Sequence, residues 1–475
     1  MRTRPSLSLL AAALVLAPTS AYAVEYDGRV TAGVYQSKET LAEPSAGSQT
    51  NDSWAYLARA FLDLTAIGPY HNEFVVDVHD RYDYFGQVDR ERLVLSDANE
   101  PELRQLAVKY PYEGDDLYWS LGRFPIAHAG VLALDGAELG YGLTNTWRLG
   151  LFGGLVPASK KYNETDKPDP DDREVGLYSV YETKNQDWFH HTYFANSFIV
   201  EQASLTPETL EGLTGDDTTN VLTSGAATET PATKTSTTSV RWYTNLIYQS
   251  GQGSRLTALS YLYLTPKAYL RNFWLAYYRE LTRTLTSTVS LTHLDLTEYD
   301  KVKDIRETIA PSAYEQGKGE LKQKIGRRVE MKYEALYGKR TADGLNKWQV
   351  AAGPVVSQVF RSHVEASLRL GYRKNFLSHD DFAKVGVMYY ARSFDIGVTE
   401  QAVIERHDDG RTLHPMFSEL SFDGLVGQNI LAGVALEYAK DENATVTSGL
   451  LTLGYRINSK QMTPVRDQAP PLDRL

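Results

Sequence analysis

The chain contains no cysteine, and this absence limits both its stabilisation and its chemistry. No disulfide bond can form, and no thiolate can hold a metal ion. After the N-terminal segment there is also no apolar run that approaches about 18 residues, so the sequence predicts no transmembrane helix there. A chain of 475 residues without these devices must be held together by packing or by closed strand pairing.

The N-terminus has the features of a secretory signal peptide, which we assign to residues 1–23. Arg2 and Arg4 give it a positive start, and residues 7–17 are mostly apolar. An Ala-x-Ala cleavage site ends at Ala23, and we expect cleavage there. The apolar run is too short for a membrane anchor helix. The sequence therefore predicts an exported protein.

An excess of acidic residues argues against a nucleic-acid partner. The formal net charge is −11, and loss of Arg2 and Arg4 with the leader takes it to −13. Nucleic-acid-binding domains instead carry clustered basic residues on one face. We expect no nucleic-acid partner and no cofactor.

The segment 72–86, NEFVVDVHDRYDYFG, alternates apolar and charged residues with a period of two. That period predicts a β-strand rather than a helix. One face carries Phe74, Val76 and Val78, and the other carries charged residues. A soluble sheet and a membrane barrel would each accommodate one such strand, so this segment alone leaves both open.

The same period recurs almost throughout the chain. We identify about 20 segments of about 9–14 residues, longer than the usual strand of a globular protein. That length suits a tilted strand that crosses a membrane. The chain has 31 Tyr and 7 Trp, and these tend to lie at the ends of the apolar faces, as in the aromatic girdles of membrane barrels.

Connections between the segments sort alternately by length, which is typical of membrane barrels with long extracellular loops and short periplasmic turns. The long connections are 38–52, 86–102, 125–135, 157–172, 201–238 and 298–323. The short ones are 67–71, 111–116, 144–146, 184–187, 250–254 and 282–284, and 265–269 is short although its position predicts a long loop. Beyond about residue 340 the alternation fails, and 346–373 and 382–406 lack clear turns. The segment count then comes to 21, whereas single-chain bacterial barrels have even counts.

Over 24–457 the chain resembles the large porin-like β-barrels of the Gram-negative outer membrane. The run 121–143 is similar to the Gly-Arg strand and loop of such barrels. The resemblance implies an all-β, single-chain antiparallel transmembrane β-barrel of about 20 strands, with 16–22 allowed, in the bacterial outer membrane. Residues 458–475 would form a periplasmic tail. The chain departs from the usual pattern because no aromatic residue ends its last strand.

In such a barrel the charged faces point into the lumen, and three sets of residues are candidates to line a pore. The first set is Glu73, Asp77, His79, Arg81 and Asp83. The second set is Arg328, Glu330, Lys332 and Glu334, and the third is His363, Glu365, Arg369 and Arg373. Because each set mixes both signs of charge, these residues would alternatively pair across strands and simply fill the lumen.

Three of the long connections have distinct compositions. The segment 125–135, PIAHAGVLALD, is too apolar for a solvated loop, so we expect either a constriction folded into the lumen or another strand against the wall. The Thr-rich connection 201–238 is typical of an exposed surface loop. The charged connection 298–323 would form a surface loop or cap the mouth.

Enzymatic and metal sites lack support in the sequence, and we predict no enzyme. Neighbouring strand residues point to opposite faces, so His190 and His191 cannot chelate a metal together. No nucleophile elbow, zincin motif, phosphate loop or Ca²⁺ loop of adequate specificity occurs.

The sequence therefore favours an outer-membrane channel that passes or exports small polar solutes through a loop-narrowed lumen. Its partners would be outer-membrane lipid, lipopolysaccharide and those solutes. A second hypothesis is a non-transporting surface barrel whose loops, notably 201–238, bind a partner. A third, a soluble β-propeller or solenoid, would show a repeat of about 40–50 residues, and none is found.

Overall fold

The computed structural model describes residues 25–43, 47–67, 71–85, 98–111, 117–157, 168–184, 191–205, 235–250, 253–265, 268–294, 314–341, 344–376, 378–427 and 429–458. The predicted signal peptide, the predicted C-terminal tail and most of the connections 86–102, 157–172, 201–238 and 298–323 lie outside these residues. In the part described, no helix is long and apolar enough to cross a membrane.

Almost all of the described residues form strands. The first eight are β1 (Glu25–Glu43), β2 (Gly47–Ile67), β3 (Asn72–Phe85), β4 (Ala98–Tyr110), β5 (Leu117–Ile126), β6 (Val131–Gly142), β7 (Trp147–Pro157) and β8 (Pro168–Lys184). The next eight are β9 (His191–Leu205), β10 (Thr235–Ser250), β11 (Ser254–Thr265), β12 (Tyr269–Thr282), β13 (Leu285–Leu294), β14 (Tyr314–Ile325), β15 (Val329–Arg340) and β16 (Asn346–Val356). The last seven are β17 (Val364–Lys374), β18 (Ser378–Tyr390), β19 (Phe394–His407), β20 (Thr412–Leu413), β21 (Met416–Val426), β22 (Ile430–Lys440) and β23 (Ala444–Asn458). Two short 3₁₀ turns are η1 (Ala127–Ala129) and η2 (Val359–Arg361).

The strands close into one antiparallel barrel. Each strand pairs with its neighbours in sequence, and β1 also pairs with β23, from Asp27 opposite Asn458 to Leu41 opposite Ala444. The two-residue β20 and the longer β21 both pair with β19 and together make one strand of the wall. The barrel therefore has 22 strands, which lies within the predicted range of 16–22 and above the expected 20.

Several predicted boundaries differ from the observed ones. The expected loop 38–52 is largely strand, because β1 and β2 stay paired up to Glu43 opposite Gly47. The ambiguous region 346–373 contains β16 and β17, and 382–406 lies within β18 and β19. The 21 segments counted in the sequence are one fewer than the 22 observed strands, and the count was ambiguous in this part of the chain.

The two faces of the wall differ in burial because side chains alternate along each strand. On β7, the outward-facing Leu149 and Leu151 are 45% and 59% exposed, whereas the inward-facing Phe152 is 1% exposed. Exposed apolar residues recur on the same face around the barrel, for example Leu177 on β8, Val398 on β19 and Leu453 on β23.

Candidate functional site

The hairpin formed by β5 and β6 leaves the wall part-way along its length. The β4–β5 ladder ends with Leu106 opposite Arg123, and the β6–β7 ladder begins with Asp135 opposite Leu155. Between these points residues 124–134 pair only with one another, for example Phe124 with Leu134. We call residues 124–134 the inner hairpin.

A row of small residues marks the line along which the hairpin bends. Ala107, Gly122, Gly136 and Gly154 stand opposite one another on β4, β5, β6 and β7. A Cβ atom at Gly122, which has a φ of +119°, would lie 2.2 Å from the Leu106 carbonyl oxygen. A Cβ atom at Gly136 would lie 2.2 Å from the Gly153 carbonyl oxygen. Only glycine allows this close backbone approach at either bend.

Hydrogen bonds at the tip show that the inner hairpin lies inside the barrel. The Tyr261 hydroxyl donates to the Gly130 carbonyl oxygen at 2.8 Å, and the Ser197 hydroxyl donates to the Ala129 carbonyl oxygen at 2.9 Å. Tyr261 is on β11, five strand positions from β6, which is about 24 Å along the wall at about 4.8 Å per strand. The tip is too short to follow the wall over this distance, so it reaches β11 by crossing the interior of the barrel. This agrees with the inward-folding interpretation of 125–135.

An apolar core fixes the inner hairpin against the wall. Phe124, Ile126, Ala129 and Leu134 are each no more than 2% exposed. Their core also contains Phe152, Tyr178, Val180, Ala195 and Ile199 from β7, β8 and β9. Full burial of one large apolar side chain stabilises by about 1.5–3 kcal/mol, so the hairpin is a fixed part of the lumen.

Two tyrosines beneath the hairpin lie flat over glycines of neighbouring strands. A Cβ atom at Gly140 would collide with the Tyr118 ring, and one at Gly150 would collide with the Tyr178 ring. The two hydroxyls meet at 2.8 Å. Tyr178 also donates to the Glu138 carboxylate, so this acidic side chain is held within a polar network.

His128 at the tip forms a hydrogen bond with the Tyr193 hydroxyl at 2.7 Å. Burial is the main cause that lowers the pKa of His128, to about 4, and nearby Arg148 lowers it further while Glu182 opposes the change. The ring is therefore neutral near pH 7, as packing inside an apolar tip requires.

The first predicted pore set lies on the face that also carries the inner hairpin. Asp77 is 6% exposed and receives two bonds from Arg59, Nε to Oδ1 at 2.9 Å and Nη2 to Oδ2 at 2.7 Å. Glu73 pairs with Lys109 at 3.1 Å. His79 shares this face. Arg81 and Asp83 also belong to β3, but their side chains lie outside the described part.

The second and third predicted sets are joined rather than separate. Arg369 Nη2 bonds Glu334 Oε1 at 2.7 Å, although β17 and β15 are two strand positions apart. Lys318 lies 3.1 Å from the other Glu334 oxygen. Arg373 bonds the fully buried Asp380 through Nε at 2.7 Å. Cross-strand pairing, the alternative to a free pore lining, therefore accounts for part of these sets.

Two members of the predicted sets lie elsewhere than expected. Arg328 is in the turn between β14 and β15, and His363 is in the bend before β17. The alternation in the sequence extends one residue beyond the start of each strand, because β15 begins at Val329 and β17 at Val364. Of the others, Glu330 is 3.9 Å from Lys332, and Glu365 accepts a hydrogen bond from Ser357 at 3.2 Å. Contact of any of these residues with a solute remains a prediction.

Sequence reasoning missed the charged pairs around the hairpin. Arg123 bonds Asp135 through Nε and Nη2 at 2.6 Å each, and its Nη1 donates to the Leu103 carbonyl oxygen at 2.8 Å. Arg241 pairs with the buried Glu174 at 2.9 Å. Both arginines were visible in the sequence, and the inward position of Arg241 follows from the alternation in β10.

The described residues contain no group of three His, Cys, Asp or Glu side chains that could hold a metal ion. His191 faces the lumen and lies 3.4 Å from Glu182. His190 is outside the described residues.

The fold is a large, porin-like antiparallel β-barrel. No protein-family profile matches the chain, and no curated protein matches its sequence.

Among solved structures, Pseudomonas aeruginosa OpdK with vanillate is 9% identical, with 91% of this chain and 98% of that chain covered and a TM-score of 0.43. Pseudomonas aeruginosa OpdQ is 9% identical, with coverage of 92% and 98% and a TM-score of 0.40. Acinetobacter baumannii OccAB4 is 8% identical, with coverage of 91% and 98% and a TM-score of 0.39.

Proposed function

We propose that the protein is a bacterial outer-membrane channel that passes or exports small polar solutes through a lumen narrowed by the inner hairpin. The observation that carries this proposal is the inner hairpin, an apolar segment that leaves a closed wall and packs inside it. A barrel whose only role was to present surface loops would not need a constriction within its lumen.

The outer face supports a membrane setting. In lipid every backbone polar group must be paired internally, which a closed barrel achieves. The outer face presents exposed leucines and valines, with exposed aromatic residues at strand ends such as Tyr141 and Trp147. This is the arrangement that an apolar belt with an interfacial girdle requires.

The inner face supports a polar passage. Charged side chains occupy it on many strands, and several are held in ion pairs such as Arg59–Asp77 and Arg369–Glu334. Ion pairs of this kind are suited to a hydrated lumen rather than to a dry core. A polar solute would meet the inner hairpin on one side and these charges on the others.

Single-channel recording in a planar lipid bilayer tests the proposal. The purified protein should give discrete current steps, and heat-modifiable migration on a gel should confirm that the inserted protein is a folded barrel. A folded barrel that inserts and carries no current would contradict a channel and would favour the alternative, in which surface loops such as 201–238 bind a partner. Deletion within 206–234 should leave the current steps largely unchanged if the channel proposal holds.

A further inference from the structure

The wall opposite the inner hairpin presents a different surface to the lumen. The hairpin packs on β8, β9 and β10, and the strands halfway round the 22-stranded barrel from these are β19, β21 and β22. From β22 the same side of the wall continues through β23 to β1 and β2. The register runs without a bulge from the inward Arg59 on β2 through β1, β23 and β22 to β21. Inward positions on these strands can therefore be assigned directly.

Three apolar side chains on this wall point inward and are exposed. Tyr35 and Leu450 stand directly opposite each other on β1 and β23, and each is 39% exposed. Leu57 on β2 is 45% exposed and lies diagonally from Tyr35. Apolar side chains left open to an aqueous lumen form a surface that a ligand with apolar groups would cover.

Three carboxylates continue the same inner surface on β21 and β22. Glu419 and Glu437 are directly opposite each other, and Asp423 is opposite Gly433. All three are exposed. Glu437 is the diagonal neighbour of Leu450, because Leu450 stands opposite Ala435. The acidic and apolar side chains therefore form one continuous area, which we call the mixed patch: Tyr35, Leu57, Leu450, Glu419, Asp423 and Glu437.

These carboxylates differ from those near the hairpin in their pairing. Asp77, Glu174 and Glu182 each have an arginine within ion-pair distance. Within the described residues no lysine or arginine lies that close to Glu419, Asp423 or Glu437, and Glu437 accepts only a hydroxyl bond from Ser448. Like charges directly opposite on neighbouring strands are destabilising, and a cation between them would relieve that cost.

We propose that the mixed patch is a binding surface for organic cations that carry an apolar group, so that the channel prefers such solutes. The inference rests on the proposed channel and deepens it. The carboxylates attract the ammonium group, and Leu57, Leu450 and the Tyr35 ring contact the apolar group, with Tyr35 also offering a face to the positive charge. The hairpin fills the opposite side of the lumen, so a solute passes along this wall.

The test uses the full-length protein in a planar bilayer, with benzyltrimethylammonium and tetramethylammonium as probes. Benzyltrimethylammonium should reduce the potassium current at about tenfold lower concentration, because its ring removes apolar area from water. Under a KCl gradient the wild type should prefer potassium to chloride. E419Q/E437Q should lower that permeability ratio about threefold or fourfold, because the variant removes two negative charges that would lie about 10 Å from a passing ion.

Two further variants separate the causes. L57S/L450S should keep the ion preference and lose the difference between the two ammonium probes. R148Q/E182Q, which removes a whole ion pair near the hairpin side, should leave both properties as in the wild type. D423N gives a second charge variant should the double variant fail to fold, as judged by heat-modifiable migration.

The outcomes distinguish this inference from the proposed function. A folded wild-type protein that carries no current would contradict the proposed channel function. If the wild-type protein conducts, two results would contradict only the proposed binding at the mixed patch. One is equal block by both probes, and the other is a charge variant with the permeability ratio of the wild type.

Discussion

The hydrogen bonds at the hairpin tip give a prediction whose size can be worked from the structure. S197A together with Y261F removes the donors to the Ala129 and Gly130 carbonyl oxygens. Ala129 is 0% exposed, so its carbonyl group would have no water to replace the lost donor. A buried group left without its partner costs about 1–3 kcal/mol. The two bonds share one tip and are not additive, so we expect a total of about 2–4 kcal/mol.

That loss should appear as movement of the tip rather than as unfolding of the barrel. At about 1.4 kcal/mol per factor of ten, the population with a displaced tip should rise about 30-fold to 1,000-fold. Single-channel recordings of the double variant should show frequent excursions to a higher conductance level. Y333F removes a hydroxyl from the outer face and serves as the control. Recordings of the double variant that match those of the wild type would refute this account of the tip.

Three further predictions concern stability, measured as the midpoint of urea unfolding in detergent. G136A should lower the free energy of unfolding by about 1–3 kcal/mol, because its Cβ would meet the Gly153 carbonyl oxygen. The control G319A has open space around the new Cβ and should change the midpoint little. Equal midpoints for the two variants would contradict the close backbone approach at Gly136. Y178F should cost about 1–3 kcal/mol because Glu138 and Tyr118 lose a hydroxyl partner, and a neutral result would argue against that network. His128 should make stability pH-dependent: its pKa is near 6.5 when unfolded and about 4 when folded, so the unfolded chain binds the proton first. The contribution of His128 to the free energy of unfolding should be fully present above about pH 6.5. It should fall by up to about 3 kcal/mol as the pH drops to about 4. The H128Q variant should show a weaker dependence of stability on pH over the same range.

The alternation of apolar and polar side chains made the barrel predictable from the sequence. The number of strands was harder to predict, because some connections lack the residues that are typical of turns. Observed strands end beside the short connections 67–71, 111–116 and 144–146, where glycine, proline or small polar residues give clear signals. The connections 357–363 and 391–393 contain neither glycine nor proline, so β16 could not be separated from β17, nor β18 from β19, in the sequence. The segment 38–52 is polar on both faces and gave no alternation to read.

The inner hairpin was predictable in composition and unpredictable in its contacts. The apolar run 125–135 indicated a segment that avoids solvent. Its partners Ser197 and Tyr261 lie 68 and 131 residues further along the chain, at distances that only the closed register defines. The pairing of Glu334 with Arg369 likewise depends on the inward curvature of three strands, which no local pattern encodes.

The conductance of a hairpin-less barrel tests the central claim most directly. A short Gly-Ser linker would replace residues 124–134 between Arg123 and Asp135, which keeps both the ion pair and the wall ladders. If the inner hairpin narrows a solute passage, this variant should insert as a folded barrel and carry a larger single-channel current than the wild type. A folded variant whose current is the same as that of the wild type would contradict the account.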